Sequence, residues 1–295
     1  MLKRTIVITE AYHLSLKNAQ MVVSAREMPE ITRTVPIEDL GLLMIENQMA
    51  TATMPLLNAL VDMGVAVVLC DNKGMPHAFL ENMDGHNMQG EILSQQIAVS
   101  EPLKKQLWKQ IVECKIKNQE NLLNKIHGNG DVLKPYRMNV KSGDGDNREG
   151  AAAHVYFPLL FGDDFVRDRT QSGINALLNY GYTVLRAATT RALVSSGLTP
   201  AIGLFHHNRS NAFPLADDLM EPFRPFVDEI VYGLCEEGKM SLNKETKAAL
   251  INVLYCDTEY PKVTRPLQLG LSLTMASLAK CYRGEQKTLS LPELK

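Results

Sequence analysis

The sequence predicts an α+β chain in which a small N-terminal β domain precedes a larger all-α domain. Three observations predict it. Up to about residue 80 the apolar residues fall in short, often β-branched runs divided by turn residues. Beyond about residue 90 the apolar period lengthens from two to about 3.6 and the patterns run long. The length, 295 residues, sits where a single core stops growing, roughly 250–300 residues, so two domains are expected.

In chain order, Ile6-Val7-Ile8, Ala19 to Val23, Thr34 to Ile37, Gly41 to Ile45 and Val65 to Cys70 read as strands, with turns at Lys17-Asn18 and Asn72-Lys73-Gly74. One helix interrupts them. Thr53 is its expected cap, Pro55 lies in its first turn, and Leu56, Leu57, Leu60 and Val61 form its apolar stripe. The polar stretch from Glu81 to Asn87 reads as a linker with a solvated His86. Helical patterns follow over 90–125, 147–161, 172–196, 215–235, 244–255 and 267–282, and a loose tail is expected from Gly284. The boundaries are therefore a β-rich domain over 1–82, a linker over 83–90 and a helical domain over 91–295.

The composition, 45% hydrophobic and 22% charged, is that of an ordinary globular protein. The five cysteines include no Cys-x-x-Cys pair, which argues against a zinc finger or a disulfide framework and for thiols in a reducing compartment. No targeting segment or membrane-length apolar run is visible, so a cytoplasmic location with no membrane partner is expected. A net charge of −2 does not announce a nucleic-acid binder. Residues 101–148 nevertheless hold ten lysines and arginines against six acids, a local excess suited either to a solvated helix or to phosphate contact.

Four segments carry candidate chemistry. On a helix through Leu215 to Asp228, the residues Asp217, Glu221, Arg224 and Asp228 fall within about a 60° wedge. Such a line is either a solvated face or a cation site, and Pro222 is expected to kink it. Asp146 and Glu149 fit a capping box, while the first-turn position of Glu149 also favours an ionised carboxylate. His206 and His207 are adjacent in a loop and are either surface residues or donors to Mn²⁺ or Zn²⁺. Asn175, Asn179, Tyr182 and Arg186 share one helix face, as supports of a site, as DNA contacts or as a hydrogen-bonded surface.

Taken in order, Arg148-Glu149-Gly150-Ala151-Ala152-Ala153, Asn175 to Tyr182, Gly203-Leu204-Phe205-His206 and Asp218-Leu219-Met220-Glu221-Pro222-Phe223-Arg224-Pro225 closely resemble the CRISPR-associated adaptation integrases, the Cas-one family. The β-then-α layout and the length agree with it. The resemblance implies a metal-dependent DNA endonuclease and strand transferase that inserts spacer DNA into a CRISPR array in antiviral defence. It implies Mg²⁺ or Mn²⁺ held by Glu149, His206 and Glu221, with the N-terminal β domain as a homodimerisation domain. It also implies a small Cas-two partner, DNA as both spacer precursor and repeat, and other proteins of a type II system. His206 is chosen over His207 because it stands three residues after Gly203, as the pattern of the resembled family has it, and the roles of His207, Asp217 and Asp218 stay open. A catalytically silent DNA-binding scaffold is the alternative.

Overall fold

The computed structural model describes residues 3–26, 30–72, 74–80, 82, 87–206 and 211–295. Lys73, His86, His207 and the first half of the expected 83–90 linker lie outside the described residues. The chain divides into two compact units, Met1–Asn87 and Met88–Lys295.

Among the described residues the first unit is built from two four-stranded sheets and one α-helix. Strands β1 (Arg4–Ile8), β5 (Leu40–Ile45) and β7 (Ala66–Cys70) pair in parallel, and β8 (Pro76–Leu80) closes that sheet antiparallel to β7. Strands β2 (Tyr12–Lys17), β3 (Gln20–Ala25) and β4 (Thr32–Pro36) form an antiparallel meander, with the two-residue β6 (Thr51–Ala52) beside β2. Asn18 and Ala19 join β2 to β3 with φ of 50° and 56°, the paired positive values that match the twist of a two-residue hairpin. The almost fully buried run of β5 reads Leu-Gly-Leu-Leu-Met-Ile because a strand inside a parallel sheet is covered on both faces. Helix α1 (Met54–Asp62) starts after Thr53, whose side chain makes no capping bond; it places Leu56 and Leu60 in a core with Leu14, Met21, Leu43 and Val67. Strands β2, β6 and β8 are not among those the sequence pattern predicts.

The second unit is organised on two long helices. Helix α2 (Gln89–Ala98) and helix α3 (Glu101–His127) split the pattern expected over 90–125, because Pro102 can stand only in the opening turn of a helix. Helix α3 spans about 40 Å and ends at Gly128, whose φ of 69° allows its N–H to turn back onto the Leu123 and Asn124 carbonyls. Helix α6 (Ile174–Ser195) is buried along most of its length. Gly181 lets a neighbouring helix approach it: a Cβ there would stand 2.4 Å from Val227 Cγ1. Around these two lie α4 (Lys134–Met138), α5 (Arg148–Phe161), α7 (Pro214–Met220), α8 (Arg224–Glu236), α9 (Lys244–Ile251) and α10 (Leu267–Tyr282).

The helical unit departs from the sequence pattern in three further places. The helix expected over 215–235 is α7, a 3-10 turn at Glu221–Phe223 and α8, since Pro222 and Pro225 remove two helical hydrogen bonds. The second unit is not purely helical: β9 (Asp257–Tyr260) and β10 (Val263–Pro266) form a hairpin. The tail after Gly284 is docked. Glu293 exchanges both backbone hydrogen bonds with Glu259, Asn118 on α3 bonds Pro292 and Leu294, and the Leu294 side chain is buried. Among the described residues no helix is long and apolar enough to cross a membrane.

Candidate active site

Glu149, His206 and Glu221 come from three distant segments and line one cleft of about 290 Å³ in the helical unit. Each is placed by its local chain. Glu149 lies in the first turn of α5, but not through the expected capping box. Asp144 accepts from the Arg148 and Glu149 N–H groups at 2.8 and 3.0 Å, and Asn147 caps Gly150 N–H at 3.2 Å, while Asp146 ion-pairs with Lys141. With these donors satisfied by neighbours, the Glu149 carboxylate is released from capping and pairs with Lys115 on α3. Glu221 opens the 3-10 turn between α7 and α8, the site of the proline-induced break. It is nearly buried, with Lys115 Nζ 2.6 Å from one oxygen and Arg224 Nε 2.9 Å from the other.

His206 is held by Asp218, which is fully buried on α7. Its carboxylate accepts from the backbone N–H groups of Leu204, Phe205 and His206 at 2.6, 3.1 and 3.2 Å, and from His206 Nδ1 at 2.6 Å. The tight turn needs Gly203, where a Cβ would meet the His206 carbonyl at 2.6 Å. Phe205 stacks on Trp108 at 4.5 Å, and the His206 ring meets Trp108 edge-on at 5.7 Å. Donation from Nδ1 to a carboxylate fixes the tautomer that leaves the lone pair on Nε2.

The remaining acids of the predicted wedge have separate duties. Asp217 is taken by Arg186 Nε at 2.8 Å and Asn211 at 2.6 Å. Asp228, a buried residue of the cleft lining, accepts from Tyr182 and Tyr156 hydroxyls at 2.5 and 2.9 Å. The polar line on α6 therefore supports the site: Asn175 and Asn179 hold Arg167, Tyr182 holds Asp228, and Arg186 holds Asp217.

The electrostatics follow from this packing. Burial alone would raise the Glu221 carboxyl, but Arg224 and Lys115 outweigh it and pull its pKa down to about 2. Burial opposes the Lys115 ammonium, yet Glu149 and Glu221 hold it above its ordinary value. The Asp218 hydrogen bond raises His206. Asp228 is pushed up to about 6 by burial, against its two tyrosine donors. Of the cations in residues 101–148, Lys115 is buried in the site, and Lys104, Lys109, Lys117, Lys125, Lys134, Arg137, Lys141 and Arg148 pair with acids.

The donor set suits a hard divalent cation. Glu221 Oε2 is buried without an aligned hydrogen bond, the Glu149 carboxyl lies in a helix first turn, and an imidazole is oriented by a carboxylate behind it. Among the described residues, however, no three His, Cys, Asp or Glu side chains converge closely enough to hold an ion, and Lys115 stands between the two glutamates. Lys115, Asp144, Asp218 as the histidine's holder, Arg167 and Arg169 were missed by sequence reasoning. The only signal for Lys115 was its place in a helix rich in lysines.

The family profile described as CRISPR associated protein Cas1 matches residues 5–254. The chain is 40% identical over 257 residues to the CRISPR-associated endonuclease Cas1 of Neisseria meningitidis serogroup C, covering 85% of this chain and 83% of that protein. It is 26% identical to the CRISPR-associated endonuclease Cas1 1 of Francisella tularensis subsp. novicida, over 99% of this chain and 92% of that one. In fold it is similar to a casposase bound to integration product, with a TM-score of 0.80 at 21% identity over 98% of this chain and 93% of that one. A Cas6-RT-Cas1–Cas2 complex contains a similar fold, with a TM-score of 0.77 at 21% identity over 99% of this chain and 36% of that one. A profile match across most of the chain, with a relative this similar over nearly the same span, means that the chain belongs to the Cas1 family, whose named relatives here are endonucleases.

Proposed function

We propose that this chain is a CRISPR adaptation integrase, a metal-dependent DNA endonuclease and strand transferase that inserts spacer DNA into a CRISPR array. One observation carries the reading: Glu149, His206 and Glu221 line the same cleft as four cationic side chains, Lys115, Arg167, Arg169 and Arg224. Glu149, Glu221 and the His206 imidazole would hold Mg²⁺ or Mn²⁺. Such an ion polarises a phosphoryl oxygen and stabilises a leaving oxygen. In the reaction a 3′-hydroxyl attacks a phosphodiester in line. One P–O bond forms as another breaks, so the phosphodiester count is conserved and no redox partner is needed. The chain's own work is to keep Glu221 ionised through Lys115 and Arg224, and to hold the imidazole in one tautomer through Asp218. The partners of this reading are DNA, a second copy of the chain joined through the N-terminal β unit, and a small Cas2-type protein. The similar fold within a Cas6-RT-Cas1–Cas2 complex and the commonness of symmetric dimers support them.

The test is strand transfer of a labelled spacer into a repeat-bearing plasmid in Mn²⁺, with the Cas2-type partner present. Glu149→Ala, His206→Ala and Glu221→Ala should each nearly abolish it while the far-ultraviolet circular dichroism persists, and His207→Ala should retain far more activity. A folded Glu221→Ala that integrates normally removes that residue from the site. A wild-type chain that binds DNA but never joins it in any divalent cation is a scaffold instead. Light scattering at micromolar concentration should report two chains, and a mass of one chain, 32.8 kDa, counts against the dimer.

A further inference from the structure

The cleft has a second side that the carboxylates and the histidine do not use. Arg167 lies in the irregular segment between α5 and α6, and its guanidinium is held at both ends. Nη1 donates to Asn175 Oδ1 at 2.9 Å and Nη2 to Asn179 Oδ1 at 2.7 Å, with the Tyr182 ring 5.5 Å away. The same two asparagines pin the segment's backbone. Asn175 donates to the Val166 carbonyl and accepts from the Asp168 N–H, each at 2.9 Å, and Asn179 donates to the Arg169 carbonyl at 2.9 Å. Asn175 is 3% exposed, so this support is internal to the unit and rigid.

The partners chosen are the informative part. Both acceptors are neutral amides, which orient the guanidinium without cancelling its charge. Asp168, the acid between the two arginines in sequence, is turned away to the Thr170 N–H and hydroxyl, both at 2.8 Å. Among the described residues the Arg169 side chain makes no ion pair, and it is exposed on the cleft wall. The other two cations of the cleft differ, since Lys115 and Arg224 are both paired with Glu221. A half-buried cation with no carboxylate costs stability, and burial pulls Arg167 below its ordinary pKa. Such a cost persists where an anionic ligand recovers it, and a planar guanidinium fork matches phosphate oxygens.

We propose that Arg167 and Arg169 form a fixed phosphate subsite, which holds a phosphodiester of the DNA strand next to the one presented to Glu149, His206 and Glu221. The inference rests on the reading of this chain as a DNA-processing protein and extends it with a place where the strand is anchored. Two of the five Arg167 donors are used by the asparagines, so the others serve the ligand. Asn175 and Asn179 are positioning residues that act through Arg167.

The test uses the full chain and a fluorescein-labelled 30-base-pair duplex in EDTA, so that no divalent ion contributes, with binding read by anisotropy from 50 to 200 mM NaCl. Each phosphate contact contributes about 0.7–0.9 to the slope of log affinity against log salt. Arg169→Met removes an exposed side chain; it should leave the melting temperature unchanged and flatten the slope by about that amount. Arg167→Met/Arg169→Met should flatten it about twice as much. Arg167→Lys/Arg169→Lys should recover the slope without the full affinity, because the charge returns and the fork does not. In strand transfer the double Met variant should raise KM for DNA more than it lowers kcat. A wild-type slope in both Arg169→Met and the double Met variant overturns the proposal, as does a lysine pair that fails to restore the slope. The slopes are read in EDTA, so failure of the metal reading shows in strand transfer alone while the salt slopes still judge this subsite. A wild-type chain with no affinity for the duplex overturns both.

Discussion

The β unit and the helical unit bury different things. Among the described residues every buried polar or charged side chain lies in the helical unit, from Gln96 to Ser277, including Lys115, Glu120, Asp144, Asp218, Glu221 and Asp228. The β unit buries hydrocarbon: Leu14, Met21, Leu43, Leu56 and Leu60 fill its centre. Burying a charge costs several kcal/mol unless it is paired, whereas each buried aliphatic side chain contributes about 1.5–3 kcal/mol. The β unit is therefore organised for stability. The helical unit carries the expensive groups, and Lys115, Glu221 and Asp228 among them line its cleft.

Three perturbations sharpen that comparison. The largest effect is expected from Lys115→Met, which leaves Glu149 and Glu221 facing each other without their shared cation. Removing one member of a buried ion pair costs about 3–5 kcal/mol. Leu43→Ala in the β unit should cost about 2–5 kcal/mol through its cavity alone. The distinction is that Mn²⁺ should restore part of the Lys115→Met loss and none of the Leu43→Ala loss, as read by urea unfolding with and without the ion. Equal responses of the two variants to Mn²⁺ would erase the contrast.

Asp218→Asn comes next. The carboxylate ties three backbone N–H groups and the His206 ring, and loss of the group behind a metal-binding histidine typically costs about 10–100-fold in activity or metal affinity. Trp108, the one tryptophan, touches both Phe205 and His206, so its fluorescence reports whether that loop has loosened. An active Asp218→Asn with unchanged emission would make Asp218 dispensable.

The smallest effect is a pH dependence. Asp228 has a folded pKa of about 6, above the unfolded value of about 3.9. A group raised on folding contributes stability that is complete below about pH 4 and is lost as pH rises through 6. Glu221 has the opposite sign: held at about 2, it contributes above its unfolded value of about 4.3 and loses that contribution as pH falls toward 2. Asp228→Asn should remove the decline between pH 4 and 6, so the variant gains on wild type across that window in urea midpoints. A constant difference from pH 4 to 7 would show that Asp228 titrates normally.

The order of the two units, the long helices over 148–161, 174–195 and 267–282, and the candidates for the cation site were all legible in the chain. These are properties of local period and residue type, which act over a few neighbours. Strands β2 and β8 were missed, although Tyr12, Leu14 and Leu16 alternate with polar residues, because short strands are stabilised by partners the local pattern does not contain. The capping of α5 was misassigned to Asp146 because Asp144, Asp146 and Asn147 are all competent, and only the loop conformation, with Asn147 at φ 51°, selects among them. Tertiary structure alone decided that Lys115 stands between Glu149 and Glu221, that Asp218 rather than a neighbouring acid holds His206, and that the tail reaches α3. Each joins residues far apart in sequence, and such contacts depend on how whole helices pack, which no local pattern encodes.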